Sequence, residues 1–421
     1  MPQPPRRAPD SGTTGDLFDG MADASPRDDP GFEPTPAAAQ ARLAAVRPAA
    51  YERTRNHLHG AVTRLSPYLT HGLLSLREVV THLRRAHGLG LDHKLVQELG
   101  WRAWWHHAWR HQGEAIFASL HEGPLPEAAY ARELPADVLA ACTGVPVIDQ
   151  SVRALCASGY LHNHARMWLA SYLVHVRHVH WRAGADWMHA HLLDGDLASN
   201  HLSWQWVAGT GSHKPYLFNA ENVARYAPED WHSFGSVVDT SYEALEAIAY
   251  GQRQARLSGV PPGRIRHGSP ASGGETLDAV LVTPQRPGAP CPAPEPAHFA
   301  GRAVWLVHPW ALDGPPPGLP AGTLVAGLWL DDHHRRWPWS ATRWHFVGRR
   351  MDAITNAQWR GTAAQWTRAL AGAARVSGWQ DPHLGPLSPA LGLALRPPAF
   401  AEPAAACRSF SQFWRAVRFA D

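Results

Sequence analysis

The segment "LLDGDLASNHLSWQW", residues 192–206, restricts the fold more than any other stretch of the chain. Asp194 and Asp196 stand among Leu, Gly, Ala and Trp, a composition that favours burial. A buried carboxylate is costly unless a cation or hydrogen-bond donors meet it. Two arrangements satisfy that demand: the acids cap a helix beginning near residue 197, or they pair with a cation from elsewhere. For the second, Arg166 in "YLHNHARMW", residues 160–168, is the natural partner of Asp194. If the segment continues as a helix, Asp196, Asn200 and Trp204 form one stripe at i, i+4 and i+8. Trp206, two positions on, is then turned by about 200° and meets different surroundings.

Further stretches repeat this mixture of polar and aromatic residues at helical spacing. In "QELGWRAWWHHAW", residues 97–109, Glu98, Trp101, Arg102 and Trp105 share one face. Either the indoles pack inward above a boundary ion pair of Glu98 with Arg102, or acid, cation and rings face a ligand. Asn163, Arg166 and Met167 share a face in the same way, with Asn163 read as a buried amide capping a neighbouring segment, Arg166 then reaching outward, or as a ligand group. In "AVTRLSPYLTHGLLS", residues 61–75, Thr63, Arg64 and Ser66 precede a proline that can start a helix. Hydroxyls beside free N–H groups at a helix start suit a phosphate.

Composition sets limits around these motifs. The chain has 421 residues, long enough for two or three domains, and carries 20 Trp and 27 His with only 18% charged residues. Such a load of rings fills a core or stacks on flat partners. The net charge of +3 permits nucleic-acid binding without requiring it. Cys142, Cys156, Cys291 and Cys407 are widely spaced without a C-x-x-C pair, which argues against a zinc or iron–sulfur site and against a disulfide framework. No run reaches the length of a membrane span and the first thirty residues hold no apolar signal core, so a cytoplasmic location is expected.

Along the chain, residues 1–35 read as a disordered Pro- and Gly-rich segment. Residues 36–257 read as a helical domain, and 258–300 as a Pro/Gly-rich linker with one short strand, "DAVLV". In 301–421, the runs "RAVWLVHP" and "TLVAGLWLDD" alternate with an amphipathic stretch at 340–353, the pattern of a small α/β domain. The expected fold class is therefore mainly α, a helical domain followed by a small α/β domain.

Taken together, "YERTRNHLHGAVTRLSPYLTHGLLS", "ELGWRAWW", "TGVPVIDQSVRALCASGYLHNHARMWLASYL", "HWRAGADWMHAHLLDGDLASNHLSWQWVAGTG" and "FNAENVARYAP" resemble, in collinear order, the FAD-binding helical domain of the photolyase/cryptochrome family. The resemblance implies FAD as cofactor, with Tyr51, Thr63, Arg64, Leu65 and Ser66 cradling its phosphates and ribityl chain. It implies that Asp194, Gly195 and Asp196 touch its ring and adenine, that Arg166 pairs with the first of these acids, that Arg102 also contributes to cofactor binding, and that Asn200 stands beside flavin N5. Glu98, Asn163, Trp101 and Trp206 match the pocket for a flipped pyrimidine dimer, Glu98 donating to charge that develops on the base. Asn163 and Met167 match cyclobutane-dimer enzymes, where enzymes for (6-4) products carry two His.

Trp204 and Trp181 match the inner members of the family's electron relay, and Tyr130 is the redox-capable ring nearest the position of its outermost member. Arg55 and Arg102, with Trp101 and Trp206, match DNA-facing residues, while His164 takes a position usually held by Arg; a deficit of cations favours single-stranded DNA. The C-terminal unit resembles a shortened antenna domain moved behind the flavin domain, with "RSFSQFWRAVR" as its closing segment. The activity implied is a deoxyribodipyrimidine photo-lyase acting on UV-damaged DNA from excited FADH⁻, with no metal. The alternative is a cryptochrome-like photosensor that repairs nothing and signals through a protein partner.

Overall fold

The computed structural model describes residues 31–255, 282–288 and 291–420. The expected disorder of the first thirty residues, and most of the linker with its "DAVLV" strand, lie outside the described residues. The helical block runs α1 (Pro36–Ala44), α2 (Pro48–Thr54), α3 (Ser66–Thr70), α4 (Leu76–His87), α5 (Lys94–Gln112) and α6 (Ala136–Leu139). It continues through α7 (Pro146–Ser158), α8 (Asn163–Ser171), α9 (Trp181–His191), α10 (Leu197–Ala208), α11 (Ala220–Tyr226) and α12 (Tyr242–Ala249).

Local chemistry explains where these helices begin and end. Ser75 and Glu78 close a capping box at the start of α4, and Gly88 ends it in the left-handed region. Pro146 starts α7 and Gly159 ends it. Asp196 caps α10, its carboxylate accepting from Ser199 N at 2.8 Å.

The C-terminal region opens with α13 (Pro296–Phe299), followed by β1 (Ala303–Val307), β2 (Leu324–Leu330), α14 (Asp331–Arg336), α15 (Ala341–Ile354) and β3 (Ala357–Gly361). After these come α16 (Ala363–Leu370), β4 (Arg375–Gly378), α17 (Leu387–Ala390), β5 (Phe400–Ala401), α18 (Phe410–Ala416) and β6 (Arg418–Phe419). Strands β1 to β4 form a parallel sheet in the order β3-β2-β1-β4, and β5 pairs antiparallel with β6. Both faces of a parallel sheet are covered, and β1 and β2 are accordingly apolar throughout. The molecule is mainly α with a small α/β region, the expected class.

One hydrophobic cluster crosses from the helical block into the sheet, joining Leu65, Tyr68, Leu74 and Leu193 to Val307, Trp310, Trp339 and Trp344. A second fills the interior of the helical block around Trp168, Trp181 and Trp204. A third packs α18 and β5 onto α5 through Phe413, Phe400 and Trp104.

Candidate functional site

The buried acids of the loop between α9 and α10 are met in two different ways. Arg166, one turn into α8, donates through one nitrogen to both oxygens of Asp194, at 3.0 and 2.8 Å, and through Nε to Leu161 O at 2.7 Å. The pairing expected from sequence is thus formed. Asp196 does more than cap α10: its second oxygen lies 2.9 Å from His106 Nε2, 3.6 Å from Arg102 Nη2 and 3.8 Å from His383 Nε2. Burial alone would raise its pKa, yet His106 and Arg102 together hold the carboxyl well below the usual carboxylate range.

Gly195 has a packing reason as well. Arg343 of α15 is fully buried and donates to Gly195 O at 2.5 Å and to His189 O at 2.8 Å. A Cβ at Gly195 would stand 2.4 Å from Arg343 Nη1 and 2.6 Å from His189 O, so a larger residue would displace the arginine.

Helix α5 carries a second group of residues, and here the structure corrects one arrangement. Glu98 does not pair with Arg102, because each has another partner of opposite charge within reach. Glu98 meets Lys94 Nζ at 2.8 Å and Arg55 Nε at 3.9 Å, whereas Arg102 reaches inward to Asp196. Trp101 stacks on Phe410 of α18, ring centroids 3.9 Å apart and nearly parallel, and also meets Trp105 at 5.1 Å. Tyr51 is largely buried beside Glu98 and Arg55, and burial pushes its phenol pKa up.

Arg55 faces not only Glu98 but also the His162–His164 turn that starts α8. Asn163, on that turn, is exposed, and its amide meets the Met167 sulfur at 3.6 Å. Trp206 sits apart from this group: it is 39% exposed, and its ring neighbour is Tyr216 at 5.8 Å. Its separation from Trp204, which is buried, follows from the two-residue offset around α10.

The turn before α3 supplies the remaining cradle residues. Arg64 is held at φ 50°, a conformation rare for a residue with a Cβ, and its guanidinium stands 5.5 Å from the Tyr160 ring centroid. Arg166 approaches the same ring at 5.7 Å, so Tyr160 links the Arg64 turn to the Arg166–Asp194 pair. Thr63 and Ser66 place hydroxyls on this turn, with Thr63 Oγ1 accepting from Leu65 N at 3.5 Å. Helix α3 is only five residues long, so the cation and hydroxyls, not a helix dipole, are what the turn offers a phosphate.

Asn200 donates its amide to Ala185 O at 2.8 Å. Because that partner is a carbonyl, the orientation of the amide is fixed, and its own oxygen is left to accept from a ligand. A cation with hydroxyls, a paired acid and an oriented acceptor are what an anionic dinucleotide with a hydrogen-bonding ring requires, so the residues present fit FAD.

The indoles behind Asn200 form a separate line. Trp204 and Trp181 lie in the same interior cluster, with Tyr130 packed against it. A Cβ at Gly184 would come within 2.4 Å of Trp204, so this glycine makes room for the ring. Trp181 donates Nε1–H to Ser119 Oγ at 3.0 Å and lines a small cavity together with Tyr130 and His180. His180 lies between them, its ring 5.7 Å from Trp181 and 6.2 Å from Tyr130.

His106, His383, Arg343, Tyr160 and Phe410 were not singled out by the sequence. His106 falls on the turn after Arg102 in α5 and could have been found by spacing. The others come from distant segments or from positions without a local pattern.

Residues 95–232 match the family described as the FAD binding domain of DNA photolyase. A deoxyribodipyrimidine photo-lyase of Streptomyces griseus is 38% identical over 163 residues, which cover 38% of this chain and 35% of that protein. A chloroplastic/mitochondrial cryptochrome DASH of Ostreococcus tauri is 33% identical over 211 residues, 48% of this chain and 37% of that one. The crystal structure of a Synechocystis cryptochrome aligns at 28% identity with a TM-score of 0.41, covering 46% of this chain and 43% of that chain. The chain thus spans well under half the length of these relatives. Among the described residues, no helix is long and apolar enough to cross a membrane.

Proposed function

Because the helical block carries the FAD-binding domain of the photolyase/cryptochrome family, with FAD as its cofactor, we propose that this chain is a light-driven lyase that splits cyclobutane pyrimidine dimers in DNA. Bound FAD in its reduced form supplies the light-excited electron; the protein supplies binding, orientation and a place for the lesion. On this reading Tyr51, Thr63, Arg64, Leu65 and Ser66 hold the phosphates and ribityl chain. Asp194, Gly195 and Asp196, braced by Arg166 and Arg102, form the floor, and Asn200 accepts at the ring. Residues 36–257 form the flavin domain and 301–421 a shortened antenna-like domain, a division supported by the parallel order β3-β2-β1-β4.

The observation that carries the lyase reading is that Glu98, Asn163 and Trp206 remain accessible at the surface of the helical block. A carboxyl group, an amide and an indole that folding leaves available suit a flipped lesion: the indoles Trp101 and Trp206 stack on bases, worth roughly 1–3 kcal/mol per base. Glu98 and Asn163 are the hydrogen-bonding groups for the base edges. Arg55, beside Glu98 and the start of α8, is the cation toward the nucleic acid, whereas Arg102, given the same role by the resemblance, turns inward to Asp196. With so few cations at this face, single-stranded damaged DNA is the favoured substrate.

A photosensory role without repair is favoured by one feature, the stacking of Phe410 over Trp101, which takes a face of that indole away from a base. The two readings separate in one experiment. Reduced, FAD-loaded protein is mixed with dimer-containing oligothymidylate under blue light; recovery of the ultraviolet absorbance of intact thymine is expected. Unchanged absorbance with bound flavin would remove the lyase and leave the photosensor.

A further inference from the structure

The C-terminal region contains a second line of indoles that the relay of Trp204 and Trp181 does not use. Next to Asp196, His383 stacks face to face on Trp310, ring centroids 4.7 Å apart at 7°. From Trp310 the ring centroids step 6.2 Å to Trp339, 4.9 Å to Trp344 and 5.3 Å to Trp329. All four indoles are buried. The last two line a cavity of about 260 Å³ with Arg286, Cys291 and Arg360. The four indoles lead from beside the Asp194–Asp196 segment to an opening, with His333 and His334 packed alongside them.

The hydrogen bonds along the file differ between its ends. Nε1 of Trp310 and of Trp339 is buried without a partner. Arg343 also lies over the Trp339 ring at 4.1 Å, and a cation there disfavours positive charge on the indole. Trp344 donates its N–H to Thr283 O at 3.0 Å, and Trp329 donates to Gln358 Oε1 at 2.8 Å. An acceptor oxygen on the N–H stabilises an indole radical cation, whose N–H is a strong acid. The cations at the cavity are compensated, Arg286 by Asp352 and Arg360 by Asp331. The N–H acceptors therefore favour a radical cation on Trp344 and Trp329 over one on Trp310 or Trp339.

We propose that Trp310, Trp339, Trp344 and Trp329 form a second electron relay that feeds the flavin site from the cavity in the α/β region. The inference rests on FAD lying against the Asp194–Asp196 loop. One electron leaves Trp310 for light-excited, oxidised FAD. Trp339, Trp344 and Trp329 each pass one electron inward in turn, so a single radical cation ends on Trp329. An external thiol then returns one electron to that indole and loses its proton to solvent; two thiyl radicals combine as a disulfide.

The test maps where charge arrives, independently of repair. Full-length, FAD-loaded, oxidised protein is illuminated with blue light in air without thiol, so that indole radicals are trapped as kynurenine products, and tryptic peptides are read by mass spectrometry. Light-dependent products at Trp329 and Trp344 are expected, and Trp339→Phe and Trp310→Phe each abolish them while keeping FAD uptake and the circular dichroism of the parent. Should Trp339→Phe fail to fold, Trp310→Phe carries the comparison alone. Kynurenine at Trp181 or Trp204 but not at Trp329 and Trp344 in FAD-loaded protein would overturn the second relay and leave the flavin reading standing. Protein that takes up no FAD would overturn both.

Discussion

Tryptophan serves both as core and as accessible ring surface in the helical block, but chiefly as core in the α/β region. In the helical block, Trp101 is partly buried with one face on Phe410, and Trp206 is 39% exposed. In the α/β region Trp329, Trp339, Trp344 and Trp366 are fully buried and mostly in ring contact. Polar partners differ in the same way. Around Glu98 and Asn163 they are few and accessible to solvent, whereas around Asp196 and Arg343 they are buried and multiple. The lesson is that residue type does not separate ligand surface from core here. What separates them is whether neighbouring elements close over the ring, as β2 and α14 do for Trp344 through Trp329 and His334, or stop short of it, as at the end of α10.

Acid should break the comparison most strongly, because imidazoles are buried in both halves. Burial lowers the pKa of His162 to about 3 and those of His175 and His191 to about 4, from an ordinary value of 6.5. Burial likewise holds His189 of the helical block and His333 and His334 of the α/β region well below it. A depressed folded-state pKa means the unfolded chain binds protons first. The stability from these groups is therefore complete above about pH 6.5 and is lost as pH falls from there toward about pH 3–4. Urea midpoints measured from about pH 7.5 down to pH 4.5 should fall steeply and by more than any substitution below produces. A flat profile would mean that these imidazoles are hydrated or paired.

Next in size is the buried pair under the flavin segment. Arg166→Ala leaves Asp194, 4% exposed in its side chain, without its cation. Breaking such a pair costs about 3–5 kcal/mol. The expected result is a lower urea midpoint together with weakened FAD uptake, read from the visible spectrum. Wild-type stability after the substitution would show that another donor reaches Asp194.

This pair was legible in the sequence because the cost of burying a carboxylate demands a partner, and Arg166 stood at helical spacing from Asn163. The helices, β1 and β2 were legible too, from periodicity and from apolar runs bounded by Gly and Pro. The insertion of Arg343 between Gly195 and His189 was not, since 148 residues separate it from Gly195 and an arginine on an amphipathic helix reads as solvated. Nor was the separation of Glu98 from Arg102: their spacing allows a pair, and only the positions of Arg55, Lys94 and Asp196 decide against it. Phe410 on Trp101 joins elements more than 300 residues apart, which no local pattern reports.

The smallest effect on folding should come with a large effect on chemistry, at Glu98. Its side chain is 36% exposed, and its partners Lys94 and Arg55 are themselves partly exposed. Surface pairs of this kind are worth about 0–1 kcal/mol. Glu98→Ala should therefore move the urea midpoint little and leave the flavin spectrum unchanged. If the helical block presents a lesion pocket, the same substitution removes the donor toward charge developing on the base, and repair under blue light should slow by roughly tenfold to a hundredfold. In the buried half the relation is reversed: there a substitution that spares stability should also spare repair. Equal repair rates for Glu98→Ala and the parent would place the lesion away from α5, and the accessible polar groups there would then be ordinary solvated surface.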